Sequence, residues 1–368
     1  MDIALLVAGL PPDVLGGAET QAARTAALLA ARHRVSVYTR TATLPDELRG
    51  LTDCTVIRRC AVTRPGLRFV ADIVLSLRHL YRRRRALDVI LAYQTVIDGL
   101  LAVLAGRLWS IPTLVWVRSE VEFRMTGSRQ TRWLSPWVFR HATRIAVQSA
   151  ALREALLEEL RASGRLNLAR AVEAKLCVIG NGVALPPAAP PGPDGELLFV
   201  GRLTADKGVA DLIAAMAHCP LVRLTIVGEG PERARLEVAA GILPNIRFLG
   251  RCAPAAMPAL LADCAVLILP SLRNEGLPNV LLEAMAAGRA VIATRHAGIP
   301  DLINDDVNGV LVSPGDVAAL AAASTRLCAD AALRARLGAG ARLAVAHYAW
   351  PAIVATLERE LAQLRRRV

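Results

Sequence analysis

At 368 residues the chain is longer than one ordinary domain, and the usual domain size predicts two. Apolar residues make up 54% of it and aromatic residues only 4%, so we expect a core rich in Ala, Leu and Val, with helices packed on parallel sheets. The net charge of +12 predicts a surface that attracts anions. The seven cysteines are scattered and never spaced as Cys-x-x-Cys, which argues against a disulfide framework or a zinc site. This cysteine pattern favours a reducing compartment.

Short apolar runs alternate with helical patterns from the start of the chain, which predicts βα units. The run at 3–7 has no basic segment before it and is followed by Pro11 and Pro12, so we expect a strand rather than a signal peptide. No membrane span is predicted, because the longest candidate, 86–106, contains Asp88, Gln94 and Asp98. Further strands are predicted at 35–39, 89–93, 113–117, 144–146 and 176–179.

A Pro- and Gly-rich stretch at 186–195 has the composition of a linker. After it, strands are predicted at 197–201, 224–228, 246–249, 266–269 and 290–294. The segment 350–367 is typical of an amphipathic helix, with Leu357, Leu361 and Leu364 on one face. We therefore expect one domain over residues 1–185, a second over 196–346, and a C-terminal helix within 347–368 that packs back on the first domain.

The stretch from Pro270 to Thr294 carries a pair of acids. Glu275 and Gly276 lie in a loop after a strand, a helix is predicted from near Leu277, and Glu283 follows eight residues after Glu275, about 12 Å along a helix axis. The acids could hold opposite ends of an elongated ligand, with its anionic centre at the free N–H groups of the helix start. A nucleotide-sugar has this layout. The alternative is that Glu275 is a loop acid and Glu283 a solvated helix residue.

Two cations follow the first strand after the linker. Gly201 allows a tight turn, and Arg202 and Lys207 then precede the next helix. A guanidinium beside an ammonium is a good diphosphate clamp, and Lys207 is one of only two lysines in the chain. The alternative interpretation is ordinary surface charge.

Together these residues resemble the retaining glycosyltransferases of family four, which have the GT-B fold: α/β, with two Rossmann-like domains facing each other across a central cleft. The resemblance is strongest over 196–315. Its motifs are Gly201-Arg202 with Lys207-Gly208, Val227-Gly228-Glu229-Gly230-Pro231, Glu275-Gly276 with Glu283-Ala284-Met285, Gly288, and HAGIPDLINDDVNGVLV. In the N-terminal half, Gly16-Gly17-Ala18-Glu19 resembles the family's glycine loop, and Ile179-Gly180-Asn181-Gly182-Val183 its domain-junction motif, altered at Gly180 and Ala184.

The resemblance implies an acceptor-side first domain and a second domain that binds the nucleotide-sugar donor. Arg202 and Lys207 would bind the donor diphosphate and stabilise the leaving phosphate, Glu275 would contact the sugar, and Glu283 the ribose. The nucleobase would lie near Arg251. The other donor-binding residues expected are Gly16, Gly17, Gly201, Gly228, Gly276 and Leu277.

Arg118 stands where many family members carry a histidine that faces the donor sugar. It could contact the sugar or an acceptor phosphate, or it could simply pair with Glu120 or Glu122.

The resemblance implies retention of the anomeric configuration. Because two cations and a helix start would stabilise the leaving phosphate, and no Asp-x-Asp motif is present, neither a metal nor another cofactor is expected.

The acceptor is expected to be a glycan or a lipid-linked molecule of cell-envelope polysaccharide or glycolipid synthesis. In 69–85, an apolar helical stripe (Phe69, Val70, Ile73, Val74, Leu77, Leu80 and Tyr81) is followed by four arginines. Such a helix either lies on anionic membrane or packs on the first sheet, with its arginines at the negative end of the helix dipole. Trp133 and Trp137, among further arginines, offer a second interfacial patch.

The chain is expected to be cytoplasmic, and the membrane interpretation adds peripheral attachment to the inner face of the cytoplasmic membrane. Two alternative functions remain open: a non-catalytic GT-B partner subunit, and a sugar-nucleotide epimerase, for which His296 is the only histidine near the motifs. A dinucleotide-dependent oxidoreductase is disfavoured because no strand is followed by Gly-x-Gly-x-x-Gly. Nucleic-acid binding has no support beyond net charge, so no nucleic-acid partner is expected.

Overall fold

The computed structural model describes the chain except residues 15, 59–64, 125–127, 188–194, 242, 274 and 366–368. It divides into two compact units, Met1–Gly182 with Pro351–Val368, and Val183–Trp350. These divisions lie within four residues of the predicted boundaries at 185 and 347. Most of the predicted linker falls on 188–194, outside the described residues.

The first unit is built on a parallel sheet of seven strands in the order β3-β2-β1-β4-β5-β6-β7. The strands are β1 (Asp2–Leu6), β2 (Arg34–Thr39), β3 (Cys54–Arg58), β4 (Val89–Ala92), β5 (Thr113–Val117), β6 (Arg144–Val147) and β7 (Leu176–Val178). The helices are α1 (Gly17–Ala30), α2 (Pro65–Arg83), α3 (Leu100–Trp109), α4 (Arg129–His141), α5 (Ala150–Ala162) and α6 (Leu166–Glu173). Every residue of β1, β4 and β5 is buried, as expected for a parallel sheet covered by helices on both faces.

The second unit has a parallel sheet of six strands in the order β10-β9-β8-β11-β12-β13. The strands are β8 (Glu196–Val200), β9 (Arg223–Val227), β10 (Ile246–Gly250), β11 (Val266–Leu269), β12 (Ala290–Thr294) and β13 (Val310–Val312). The helices are α7 (Val209–Met216), α8 (Arg233–Ala240), α9 (Met257–Ala262), α10 (Asn279–Ala286), α11 (Val317–Ala329) and α12 (Ala331–Ala344). Both sheets are thus doubly wound, and the order reverses between β1 and β4 in one and between β8 and β11 in the other.

The last helix, α13 (Trp350–Arg365), packs with the first unit over nearly all its length. Leu357 and Leu361 are fully buried and Leu364 nearly so. Glu358 accepts from His33 after α1, and Glu360 accepts from Arg144 of β6 at 2.7 Å. An apolar stripe therefore holds α13, and polar contacts of Glu358 and Glu360 flank it.

The apolar stripe predicted for α2 is partly wrong. Val74 and Tyr81 are 57% and 50% exposed, whereas Asp72, Ser76 and Leu80 are completely buried. Asp72 can face inward because its carboxylate accepts from Arg40 at 2.6 Å. The side chains of Phe69 and Val70 lie outside those described.

Candidate active site

The second unit brings its functional residues to the point where its strand order reverses. Arg202 and Lys207 follow β8, Glu275 follows β11, and these two strands are adjacent. Because the chain leaves neighbouring strand ends in opposite directions here, a crevice opens at the carboxyl edge of the sheet. The cations and the first acid therefore share one location.

Glycine contacts hold the two loops together. Gly208 has a φ of +66°, and a Cβ on it would lie 2.0 Å from the carbonyl oxygen of Pro270. The backbone N–H of Leu272 donates to the carbonyl of Asp206 at 2.8 Å. The loop of Lys207 therefore lies directly against the start of the loop of Glu275.

A second pair of glycines closes the neighbouring strand ends. Gly228 has a φ of +148°, and its Cβ would lie 1.8 Å from the carbonyl oxygen of Gly201. Gly230 is packed in the same way on the carbonyl of Leu203. Both positions accept only glycine without displacement of the backbone, because any Cβ would overlap a carbonyl group.

Lys207 and Glu275 form an ion pair at the centre of this site. The Nζ atom of Lys207 lies 2.5 Å from Oε1 of Glu275, and the hydroxyl of Ser271 donates to the same oxygen at 2.6 Å. Glu275 is only 6% exposed. Thr294, at the end of β12, donates to the carbonyl of Ser271 at 2.5 Å. Three strand ends therefore position this carboxylate.

The remaining predicted donor residues follow the carboxyl ends of strands in the same parallel sheet. Arg202 and Arg251 have exposed side chains after β8 and β10. Leu277 is buried, and α10 begins two residues after it, at Asn279, with Pro278 as the residue before the helix. Pro278 is extended, with a ψ of 120°, so it introduces the helix from outside its first turn.

Glu283 is half-buried on α10. Burial raises its pKa to about 7. A carboxyl group that titrates near neutrality can accept hydrogen bonds from hydroxyl groups in its ionised form.

In the first unit, the predicted glycines lie at the start of α1. Gly16 is extended, and α1 begins at Gly17. A Cβ on Gly16 would lie 2.2 Å from Oε2 of Glu19, so the absence of a side chain leaves room for that carboxylate. The loop containing Gly16 follows β1, beside the point where this sheet reverses its order.

Arg118 is buried directly after β5, with 7% of its surface exposed. Its Nη2 donates to Oδ1 of Asn181 at 2.8 Å, and its guanidinium lies over the rings of Tyr93 and Trp116, 5.2 and 5.1 Å from their centroids. Within the described part of the chain, the guanidinium of Arg118 forms no ion pair with Glu120 or Glu122, so the alternative of such a pair is wrong. Glu120 pairs with Arg124 instead.

A buried polar network around Arg118 was not recognised from the sequence. Glu122 accepts from the backbone N–H groups of Arg118 and Thr95, both at 2.7 Å. Gln148, after β6, donates to Oδ1 of Asn181 at 2.8 Å. The sequence had indicated two of its members: Glu122 as a possible partner of Arg118, and Asn181 through the resemblance of 179–183 to a junction motif, which gave it no partner.

Gln21 of α1 fixes the residue next to Asn181. Its side-chain amide donates to the carbonyl of Gly182 at 2.8 Å and accepts from the N–H of Gly182 at 2.9 Å.

In the described parts of the chain, no group of three or more His, Cys, Asp or Glu side chains is placed to hold a metal ion. Among the same residues, no helix combines the length and apolarity needed to cross a bilayer.

Two doubly wound units in one chain define a GT-B type of glycosyltransferase fold. Solved structures agree at the level of fold: the chain resembles a sucrose-phosphate synthase from Thermosynechococcus elongatus (TM-score 0.81, 22% identity, all of both chains) and Anabaena HepE in complex with UDP (TM-score 0.79, 20% identity, 99% of this chain and 100% of that one).

Family models match both units. Residues 16–182 match the "glycosyl transferase 4-like domain", and residues 194–330 match "glycosyl transferases group 1". The chain therefore belongs to the group 1 glycosyltransferase family, as the motifs predicted.

Curated relatives support this assignment. A 2-deoxystreptamine glucosyltransferase of Streptomyces kanamyceticus is 30% identical over 73% of this chain and 78% of its own length. A glycogen synthase of Mycobacterium tuberculosis is 31% identical over 66% of this chain. A phosphatidyl-myo-inositol mannosyltransferase of Mycobacterium leprae is 35% identical over 44% of it. The matches span 60% and 45% of the last two proteins' lengths.

Proposed function

We propose that the chain transfers a hexose from a nucleotide-diphosphate sugar to a glycan or lipid-linked acceptor of cell-envelope polysaccharide or glycolipid synthesis. The observation that carries the proposal is the Lys207–Glu275 ion pair, set beside the exposed Arg202 where the second sheet reverses its strand order. The names of the relatives support the reaction class, since they include a glucosyltransferase and a mannosyltransferase.

On this proposal Arg202 and Lys207 bind the donor diphosphate. An exposed guanidinium is free to form two parallel hydrogen bonds with phosphate oxygens. Lys207 already gives one N–H to Glu275 and has further donors for a phosphate. Glu275 retains its second oxygen for a sugar hydroxyl, and Glu283 accepts from the ribose hydroxyls.

The reaction breaks the bond between the anomeric carbon and a phosphate oxygen, whose electron pair leaves with the nucleoside diphosphate. The acceptor hydroxyl forms the new bond to the anomeric carbon, and its proton passes to the departing phosphate. Negative charge grows on that phosphate, so positioned cations stabilise the transition state more than the bound donor. These cations supply the charge that a divalent metal would otherwise provide. Retention of configuration is proposed from the family resemblance.

Donor binding can be tested by isothermal titration with UDP, GDP and ADP and their glucose conjugates. We expect Arg202→Ala to weaken binding of the preferred nucleotide roughly 10- to 100-fold, the range for losing a hydrogen bond to a charged group. Arg223→Ala is the matched control, because Arg223 begins β9 and lies at the opposite edge of the same sheet. Equal affinity of the two variants, or no binding by the wild type, would reject the donor site.

We also propose that the first unit rests on anionic membrane. The support is a cluster of aromatic and basic side chains at the C-terminal ends of α2, α3 and α4. In this aromatic–basic surface the guanidinium of Arg84 lies 3.7 Å from the ring centroid of Tyr81, the Tyr81 ring lies 5.8 Å from that of Trp109, and Arg107 contacts His141 at 2.9 Å. Rings and cations together suit the headgroup region of a bilayer.

Vesicle flotation tests this contact. The wild type is expected to float with phosphatidylglycerol vesicles and not with phosphatidylcholine vesicles at physiological salt. The Tyr81→Ala, Arg84→Ala double variant should lose most of this binding, whereas Leu343→Ala, an exposed residue of the second unit, should retain it. Failure of the wild type to float with anionic vesicles would reject the membrane contact and leave the donor site unaffected.

A further inference from the structure

Arg118 is a buried cation whose hydrogen-bonding capacity is largely unused. Its Nε and Nη1 atoms are enclosed and have no hydrogen-bond partner in the described chain. The indole Nε1 of Trp116, two residues before it, is also buried without an acceptor. Leaving buried donors unpaired is costly, most of all on a charged group. Three enclosed donor nitrogens in one region therefore indicate a place for an acceptor-rich anion.

We propose that Arg118 anchors a phosphoryl group of a substrate, and that Asn181 and Gln148 are positioning residues that aim its guanidinium. The proposal rests on the proposed function, because it assigns that phosphoryl group to a participant in sugar transfer. The shared chemistry is a phosphate oxygen, which belongs either to the sugar nucleotide or to a phosphate-bearing acceptor.

The surroundings of Arg118 orient its charge without neutralising it. Asn181 offers a neutral carbonyl oxygen, and Tyr93 and Trp116 offer ring faces. Tyr93 stays uncharged, since burial raises its pKa to about 12, and its hydroxyl donates to Thr25 at 2.6 Å. An anion that enters therefore meets a full positive charge.

Two carboxylates, those of Glu122 and Glu19, affect the pKa of Arg118. Burial lowers the pKa of Arg118, while Glu122 and Glu19 raise it, and neither forms an ion pair with the guanidinium among the described residues. Glu122 instead receives the backbone N–H of Arg118 and the N–H and hydroxyl of Thr95. It positions the backbone of Arg118 and leaves the side chain available.

Asn181 is held from two directions. Its Oδ1 accepts from Gln148 as well as from Arg118, each at 2.8 Å, and the next residue, Gly182, is fixed by two hydrogen bonds from Gln21. An aspartate at 181 would keep this shape but add a negative charge beside the guanidinium. The neutral amide of Asn181 therefore orients the guanidinium of Arg118 and still allows an anion to bind there.

The experiment compares Arg118→Gln and Asn181→Asp with the wild type, using titration calorimetry and thermal unfolding. The probes are the preferred nucleoside diphosphate and glycerol 3-phosphate, a phosphate monoester without a nucleotide. Both variants should weaken the binding of at least one of these two probes at least 10-fold. Without ligand, their Tm should equal or exceed that of the wild type, because an uncompensated buried charge has been removed or neutralised.

The two probes distinguish the source of the phosphate. A loss confined to the nucleotide identifies the donor, and a loss confined to glycerol 3-phosphate identifies a phosphate-bearing acceptor. Arg202→Ala provides the separate control for the donor site: if that variant binds the nucleotide normally while Arg118→Gln does not, the proposed donor site fails and the phosphoryl anchor stands.

The proposal would be overturned if Asn181→Asp bound both probes with wild-type affinity. It would also be overturned if Arg118→Gln lowered the Tm by several degrees with unchanged affinities, since that pattern belongs to a structural arginine. Arg118→Lys supplies a further check, because it keeps the charge and loses the planar donor geometry, and should bind with intermediate affinity.

Discussion

Lys207 and Glu275 lie 68 residues apart in the sequence, yet Nζ of the one is 2.5 Å from Oε1 of the other. Their side chains are 19% and 8% exposed. Because β8 and β11 are neighbours in the sheet, the loops that follow them meet, and the glycine at 208 lets their backbones touch. The pair is thus both a structural tie between two loops and the centre of the proposed donor site.

Breaking this pair should destabilise the second unit. Lys207→Met leaves the Glu275 carboxylate buried without a cation and should lower the free energy of unfolding by about 3–5 kcal/mol. The double variant Lys207→Met, Glu275→Gln should recover much of that loss, because the uncompensated charge is gone. Urea unfolding measures both. Arg326→Ala, which breaks an exposed pair with Asp306, should cost about 1 kcal/mol or less. A similar cost for the two pairs would contradict the role given to Lys207.

Gly208 is expected to tolerate no side chain. Gly208→Ala and Gly315→Ala both place alanine at a positive φ, of +66° and +78°, which costs roughly 1–2 kcal/mol in each case. Only the first must also displace the carbonyl of Pro270, since nothing lies within 4 Å of a Cβ at Gly315. We expect Gly208→Ala to lose at least about 2 kcal/mol more stability in urea unfolding, and to bind nucleotide more weakly. Equal losses of stability in the two variants would show that the loops around Gly208 and Pro270 move apart easily to admit a Cβ atom.

Glu283 should make stability depend on pH near neutrality. Its folded pKa of about 7 lies above its ordinary value of 4.5, so the folded state binds more protons than the unfolded state between these two values. Stability should therefore fall as the pH rises from about 4.5 through 7. Glu283→Gln removes this pH-dependent part of the stability. Between pH 5 and pH 8, the free energy of unfolding of the variant should therefore rise by about 1–3 kcal/mol relative to that of the wild type.

The measurement is urea unfolding of both proteins across that pH range. Glu237→Gln, on an exposed position of α8, serves as the control and should follow the wild type. A constant difference between wild type and Glu283→Gln at all pH values would show that Glu283 does not titrate in this window.

The packing of α13 predicts a large effect from one leucine. Leu361 is fully buried, so Leu361→Ala should lower the free energy of unfolding by about 2–5 kcal/mol through lost contacts and a cavity. Leu108→Ala makes the same chemical change in the same unit at a residue that is 65% exposed, and should change stability by less than about 0.5 kcal/mol. Denaturation followed by circular dichroism compares them. Equal effects would mean that α13 contributes little to the first unit.

Strand prediction was exact for three central strands that are completely buried. The strands at 113–117, 266–269 and 290–294 have the predicted bounds, and the bounds of the other predicted strands differ by one residue. The two that were missed are β3 and β13, although the other two edge strands, β7 and β10, were predicted. β13 has only three residues, and β3 contains Thr55 and ends at Arg58, so neither gives a long apolar signal.

Local periodicity and the order of short motifs were enough to predict the fold class, the family and the position of each motif, because these features are written in short stretches of sequence. Which polar groups are buried together became clear only from the three-dimensional arrangement. Asp72 faces inward because Arg40 arrives from a neighbouring strand, and Arg118 meets Asn181 from 63 residues away. Whether a charge is solvated, paired or left with unused donors depends on groups brought close by strand order, and no local pattern encodes that order.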